Sequence, residues 1–470
     1  MANGYRSASA APAVRPRRMV RRTIGAVALL PLLSLLAVPA RGQGWATPEG
    51  ERVPENVRLN AQLTEFIQGY PSFRAAYTGP NSLPPGGQVR QSTSITAYLG
   101  MRLPWAGGEL YFNPEYFQGF GIGETLGIAG FTNGDAQKAG NRVGVLSIAR
   151  LFLRQTIALG PETEWRPGDF NQLAGFVPTR RIVVTAGKFA SLDIFQTSAY
   201  AGDARRQFWN WSLWGPGAWD VAADVRGYTQ GLAIEIVPDP AFVIRYGALL
   251  LPSQPNGGEL PLRPNNVNHI LELAYQHRWF GRPGTVKPFA FYSLGAMGSY
   301  QQALALGAGG LAVDDAMATT RRYGNRKWGY GVLIDQEIAD NVGAFFRASW
   351  SDGRTETFAF TQIDRSIAFG LSFKGELWGR PGHSAGIAVA QNDLSRYHRD
   401  FLAAGGTGII IGDGALRYGS ERLMEAYYEL PVYRENLFVA ANYQLVHNPG
   451  YNRDRAGPVH VFGLRIHARY

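Results

Sequence analysis

The chain has 470 residues, no cysteine, 45% apolar residues and a formal net charge of +10. Six of its arginines lie in the first forty residues, so from Arg41 onward the excess is 10 − 6 = +4, which removes the main support for nucleic-acid binding. No run of eighteen apolar residues follows the leader, so helices do not carry the chain across a bilayer.

The leader itself fixes a compartment. Arg6, Arg15, Arg17, Arg18, Arg21 and Arg22 precede the apolar run Ile24 to Val38, and small residues close it at Val38 and Ala40. This pattern predicts a secretory signal peptide over 1–40, cut after Ala40 or a few residues later. Arg21 and Arg22 lack the rest of a twin-arginine signal. The absence of cysteine suits export to an oxidising space. The polar, proline-containing segment 41–56 reads as a short periplasmic N-terminal tail.

From residue 57 the chain alternates in polarity with period two. Sixteen strands are expected, at 57–70, 91–103, 108–117, 145–159, 180–190, 226–237, 240–251, 267–279, 285–298, 324–337, 341–352, 364–376, 384–393, 420–431, 435–447 and 457–470. Leu110, Phe112 and Tyr116 oppose Glu109, Asn113 and Glu115. Met424, Ala426, Tyr428 and Leu430 oppose Glu425 and Glu429. In the last strand Phe462, Leu464, Ile466, Ala468 and Tyr470 oppose Gly463, Arg465, His467 and Arg469. A dry core would not tolerate so many inward carboxylates and arginines, whereas a membrane barrel places apolar residues against lipid and polar ones in its lumen. The expected fold is therefore all-β, a 16-stranded antiparallel transmembrane β-barrel over 57–470.

Short connections are expected at Pro104–Gly107, Pro238–Asp239, Phe280–Gly284, Ala339–Asp340 and Val432–Arg434, and long loops at 118–144, 191–225, 299–323 and 394–419. The stretch Gly160 to Thr179 is long where a short turn is due and predicts either a small periplasmic element or a slip in the pairing. No repeat of fixed period is present, which argues against a propeller or solenoid. Aromatics at 12% and 58 glycines fit interfacial girdles and curved sheet. Arginine outnumbers lysine 41 to five, which reflects either codon usage or guanidinium groups lining a lumen.

The loop 191–225 is the most unusual stretch. Asp203, Arg205, Arg206, Trp209, Asn210, Trp219, Asp220, Asp224 and Arg226 crowd together in or beside it. Charged groups beside indole rings suit a sugar, whose hydroxyls take hydrogen bonds while its C–H faces stack on rings. The alternative is that the tryptophans anchor the barrel at the headgroup level. The expectation taken is that the loop folds inward, with Glu115 and Lys188 on the neighbouring wall. Asp352, Arg354 and Glu356 form a second polar cluster, which is also read as an ordinary Asp-Gly turn. A third, Gln391 to Asp400, offers no nucleophile with an orienting partner, so no catalytic residue, metal site or cofactor is expected.

Four blocks carry a family resemblance: GKFASLDIFQTSAYAGDARRQFWNWSLWGPGAWDVAADVRGYTQG (187–231), DGRTETFAFTQIDRSIAFGLSFKG (352–375), YHRDFLAAGGTGIIIGDG (397–414) and HNPGYNRDRAGPVHVFGLRIHARY (447–470). In that order they resemble the carbohydrate-selective porins of the OprB type. The resemblance implies a sixteen-stranded outer-membrane barrel with an inward-folded loop, in a Gram-negative bacterium, passing small sugars such as glucose by facilitated diffusion. Its partners would be small sugars, outer-membrane lipid and, through terminal Tyr470, the barrel assembly machinery. Nucleic acid is not expected, and homo-oligomerisation stays open. The rival within the class is an anion-preferring or general diffusion pore. An outer-membrane lipase and a soluble sugar-binding protein are the rivals outside it.

Overall fold

A computed structural model of the chain describes residues 52–136 and 140–470. The expected signal peptide and most of the expected tail lie outside the described residues.

Sixteen antiparallel strands close into one barrel. In chain order they are β1 (Val57–Tyr70), β2 (Gln88–Arg102), β3 (Gly108–Gly119), β4 (Asn141–Ala158), β7 (Arg181–Phe189), β8 (Thr229–Asp239), β9 (Phe242–Leu250), β10 (Val267–His277), β11 (Gly284–Gly295), β12 (Asn325–Ala339), β13 (Val342–Ser351), β14 (Arg365–Lys374), β15 (Ser384–Asp393), β16 (Glu421–Tyr433), β17 (Leu437–His447) and β18 (Val459–Arg469). The two strands between β4 and β7, β5 (Thr163–Arg166) and β6 (Gly175–Pro178), pair only with each other. Each barrel strand pairs with its neighbours, and β1 closes the ring on β18, for example Ile67 opposite Leu464. Tyr470 completes this seam by exchanging backbone hydrogen bonds with Ala61 at 2.8 and 3.1 Å. Closure leaves no unpaired edge, as a barrel in lipid requires.

The turns fall a residue or two from their expected positions, for a physical reason. Pro238 was expected to open a turn and Pro431 to end its strand, yet both strands run further, with Pro238 inside one register shift and Pro431, paired with Phe438, at the edge of another. A bulge spares the ladder the N–H that proline lacks, so the strands run on to Asp239 and Tyr433. Asp239 then closes the next turn by accepting from Ala241 N at 2.8 Å.

Facing follows the alternation. Leu464, Ile367 and Leu271 point outward and are about half-exposed, while Thr64, Glu272, Glu425 and Arg465 point inward and are fully buried. Inward carboxylates were expected to meet water. Many meet protein instead, because the long loop between β7 and β8 turns into the lumen. Glu272 accepts from Gln196 N at 2.7 Å, Asp335 from Ala199 N at 2.9 Å and Glu425 from Trp209 N at 2.6 Å. These carboxylates thereby accept from backbone donors that irregular chain would otherwise bury unpaired.

Candidate functional site

The four tryptophans of the inward loop do not anchor the barrel in lipid. Trp209 packs edge-on against Phe66 at 4.9 Å, Trp211 stacks on Phe131 at 5.7 Å, and Trp219 faces Phe195 at 6.3 Å and Phe289 at 6.0 Å. Trp209, Trp211 and Trp219 have no exposed surface. Their rings build the core that rigidifies the loop, and Trp214 alone among the four borders open space.

That space is a cavity of about 790 Å³ between the loop and the wall formed by β2, β3, β4, β7, β8 and β9. Of the residues singled out in the sequence, Glu115, Asp203, Arg205 and Arg226 line it. Glu115 on β3 accepts from Thr96 Oγ1 at 2.8 Å and from Tyr228 Oη at 2.7 Å. Arg205 reaches across from the loop, with Nη2 3.2 Å from Glu115 Oε2 and Nε 2.6 Å from Asp135 Oδ1. Burial works against the Arg205 charge, but Asp135 and Glu115 outweigh it and push its pKa above the ordinary arginine range. The guanidinium of Arg226 makes no hydrogen bond or ion pair among the described residues, while its backbone N–H donates to Asp224.

The remaining candidates have other surroundings. Lys188 and Asp224 pair at 3.3 Å beside Tyr228. Arg206 bonds Glu429 at 2.9 Å and lies 3.6 Å over the Phe438 ring. Asn210 is buried between Glu425, Gly130 and Gln444. Asp220 accepts the backbone N–H groups of Phe358, Ala359 and Phe360 at 2.7, 3.0 and 2.8 Å, tying the inward loop to the loop after β13. Asp352 and Arg354 border a second, separate hollow, and Glu356 is tied up with Arg321 at 2.7 Å and Gly298 N at 2.7 Å.

Sequence reasoning missed much of the lining. Arg150 on β4 forms a two-pronged bond to Asp193, 2.7 Å at each prong, and stands 5.3 Å over the Tyr228 ring. Arg245 bridges Glu235 and Glu272 at 2.7 and 2.6 Å. Inward alternation on β4, β8 and β9 was the available signal, but the shift opposite Asn113 and Pro114 breaks the phase of β4 before Arg150. Seven arginines line the cavity (150, 154, 166, 181, 205, 226 and 245), against seven carboxylates (109, 115, 135, 164, 193, 203 and 235). The surface is dense in charge yet balanced, with rings of Tyr98, Phe152, Phe170 and Tyr228 interleaved.

Comparison with known proteins agrees with this architecture. Residues 81–470 match the carbohydrate-selective porin, OprB family. The structure resembles OprB of Pseudomonas putida at high pH, with 16% identity, a TM-score of 0.63 and coverage of 88% of this chain and 94% of that one. It also resembles the outer membrane channel DcaP of Acinetobacter baumannii, with 11% identity, a TM-score of 0.50 and coverage of 88% and 97%. At such identities these two likenesses bear on the fold alone. No curated protein sequence matches the chain. With a closed barrel of sixteen strands, a charged lumen narrowed by its own loop and a family match over 390 of its 470 residues, the chain belongs to the carbohydrate-selective porins and is a sugar channel of the Gram-negative outer membrane.

Proposed function

We propose that the channel passes small neutral carbohydrates, monosaccharides such as glucose and small polyols, passively into the periplasm, and that Glu115, Asp203, Arg205 and Arg226 supply the polar contacts along the path. The observation that carries this reading is the balance of seven arginines and seven carboxylates around one cavity. An anion filter is expected to show positive charge largely unopposed, and a cation filter the reverse. Paired charges instead present donors and acceptors side by side, which suits hydroxyls that both give and take hydrogen bonds. Tyr228 and Trp214 add ring surface for the C–H faces of a sugar.

Contacts must stay weak. A nanomolar site, about −12 kcal/mol, would release solute too slowly to conduct. Passage involves no bond making and needs no cofactor. Liposome swelling tests the proposal: the protein should admit glucose and sorbitol faster than a trisaccharide, and faster than phosphate salts of equal osmolarity. Equal or faster swelling in phosphate would transfer the reading to an anion-preferring pore.

A further inference from the structure

The stretch between β4 and β7 is long on the side where every other barrel connection is short; β12 and β13, for instance, are joined by Asp340 and Asn341 alone. Short turns face the periplasm in barrels of this class. A connection of this length on that side calls for a role.

Its two parts are placed differently. The paired strands β5 and β6 form the stem, where Trp165 meets Phe176 edge-on at 5.2 Å. The tip, residues 167–174, folds back into the barrel mouth. Phe170 stacks on the inward ring of Tyr98 at 4.5 Å, and Leu173 is buried. Asn171 takes a positive φ of 52°, turning the tip so that its carbonyl accepts from Arg154 Nη1 at 2.9 Å. Ala174 is held on both sides, donating to Glu55 Oε2 at 2.9 Å and accepting from Arg102 Nη2 at 3.1 Å. The tip is therefore an arm held to the barrel by a ring stack and by hydrogen bonds with Arg154, Arg102 and Glu55.

The same tip borders the channel cavity through Phe170, Asn171 and Gln172. Tyr98 lies two residues along β2 from Thr96, whose hydroxyl bonds Glu115. At the rise of an extended strand the Phe170 stack therefore sits about 7 Å beyond the Glu115–Arg205 pair, toward the short turns. We infer that the 167–174 tip is a second constriction on the exit side of the channel, with Phe170 and the Gln172 amide against the solute path. This inference rests on the sugar-pore reading for the identity of the solute, but not for the constriction itself. Solute leaving Arg205 would meet a ring pair and neutral amides, a surface that favours uncharged hydroxylated molecules over ions.

The chain has no cysteine, so a single introduced thiol is unambiguous. Full-length Phe170→Cys protein in a planar bilayer, treated from the short-turn side with a bulky methanethiosulfonate, should lose about half or more of its single-channel conductance, and saturating glucose should slow the loss. Gln172→Cys, which leaves the ring stack intact, should behave alike and guards against a folding defect in the first variant. Complete thiol modification by mass with unchanged conductance overturns the inference. So does failure of both thiols to react from either side. Loss of conductance without any effect of glucose supports the constriction while removing the sugar-pore reading.

Discussion

The carboxylate of Glu425 on β16 accepts the backbone N–H of Trp209, in the middle of the lumen loop, at 2.6 Å. Its second oxygen takes the next N–H, of Asn210, at 2.9 Å, and Asn442 Nδ2 adds a third bond at 2.7 Å. Glu272 and Asp335 hold Gln196 and Ala199 in the same manner. The wall thus fixes the loop by its backbone, and Asp203, Arg205 and Trp214 are among the loop side chains left bordering the cavity.

Glu425→Ala leaves two buried N–H groups without an acceptor, at about 1–3 kcal/mol each. The unfolding temperature on a heat-modifiability gel should fall and open-channel noise should rise. Glu425→Gln keeps an acceptor for only one of the two N–H groups and sets its amide NH2 against the other, so it should lie between wild type and Glu425→Ala.

Arg205 and Arg206 are adjacent in sequence but differ in role. Arg205 borders the cavity, whereas Arg206 is spent on Glu429 and Phe438. Arg205→Ala should weaken sugar block of the current by about fivefold, the worth of ~1 kcal/mol for one hydrogen bond to solute. Arg206→Ala should leave block unchanged and lower stability. Equal effects on block would mean that both arginines contact solute.

Leu464 points outward on β18, paired with Ile67 of β1 and Ala441 of β17. Leu464→Arg should cost ~2–4 kcal/mol if it lies near the bilayer midplane, read as reduced folding yield into vesicles. Normal yield would reverse the facing of this strand.

Asp364, in the loop between β13 and β14, is buried 3.0 Å from His398 Nδ1. Burial alone would raise its pKa, but His398, Lys327 and the Ser395 N–H hold it below the usual carboxylate range. A depressed carboxyl contributes stability above its unfolded value near 3.9, and that contribution is lost as pH falls through the folded value. Proteolysis of this loop should accelerate below about pH 4 in the wild type, and Asp364→Asn should show the faster cleavage already at neutral pH.

Strand positions were legible because lipid and lumen impose opposite polarity on alternate residues, and β1 and β15 run over the expected residues. The inward loop was legible from its density of charge and indole. That Trp209, Trp211 and Trp219 are wholly enclosed was not, since that depends on Phe66, Phe131 and Phe289 arriving from distant parts of the chain. Asp135, Arg150 and Asp193 escaped notice for the same reason: each is ordinary alone, and only closure of the barrel brings them to one cavity. The 160–179 anomaly was visible as length without pattern, and its folding back onto Tyr98 required the structure.

The central claim is a sugar path through one charge-balanced cavity, and single-channel current in a planar bilayer tests it most directly. Titrating glucose against the wild type should give saturable block with a dissociation constant in the millimolar range, about −4 kcal/mol, and phosphate should give none. Saturable block by phosphate with no response to glucose would contradict the account.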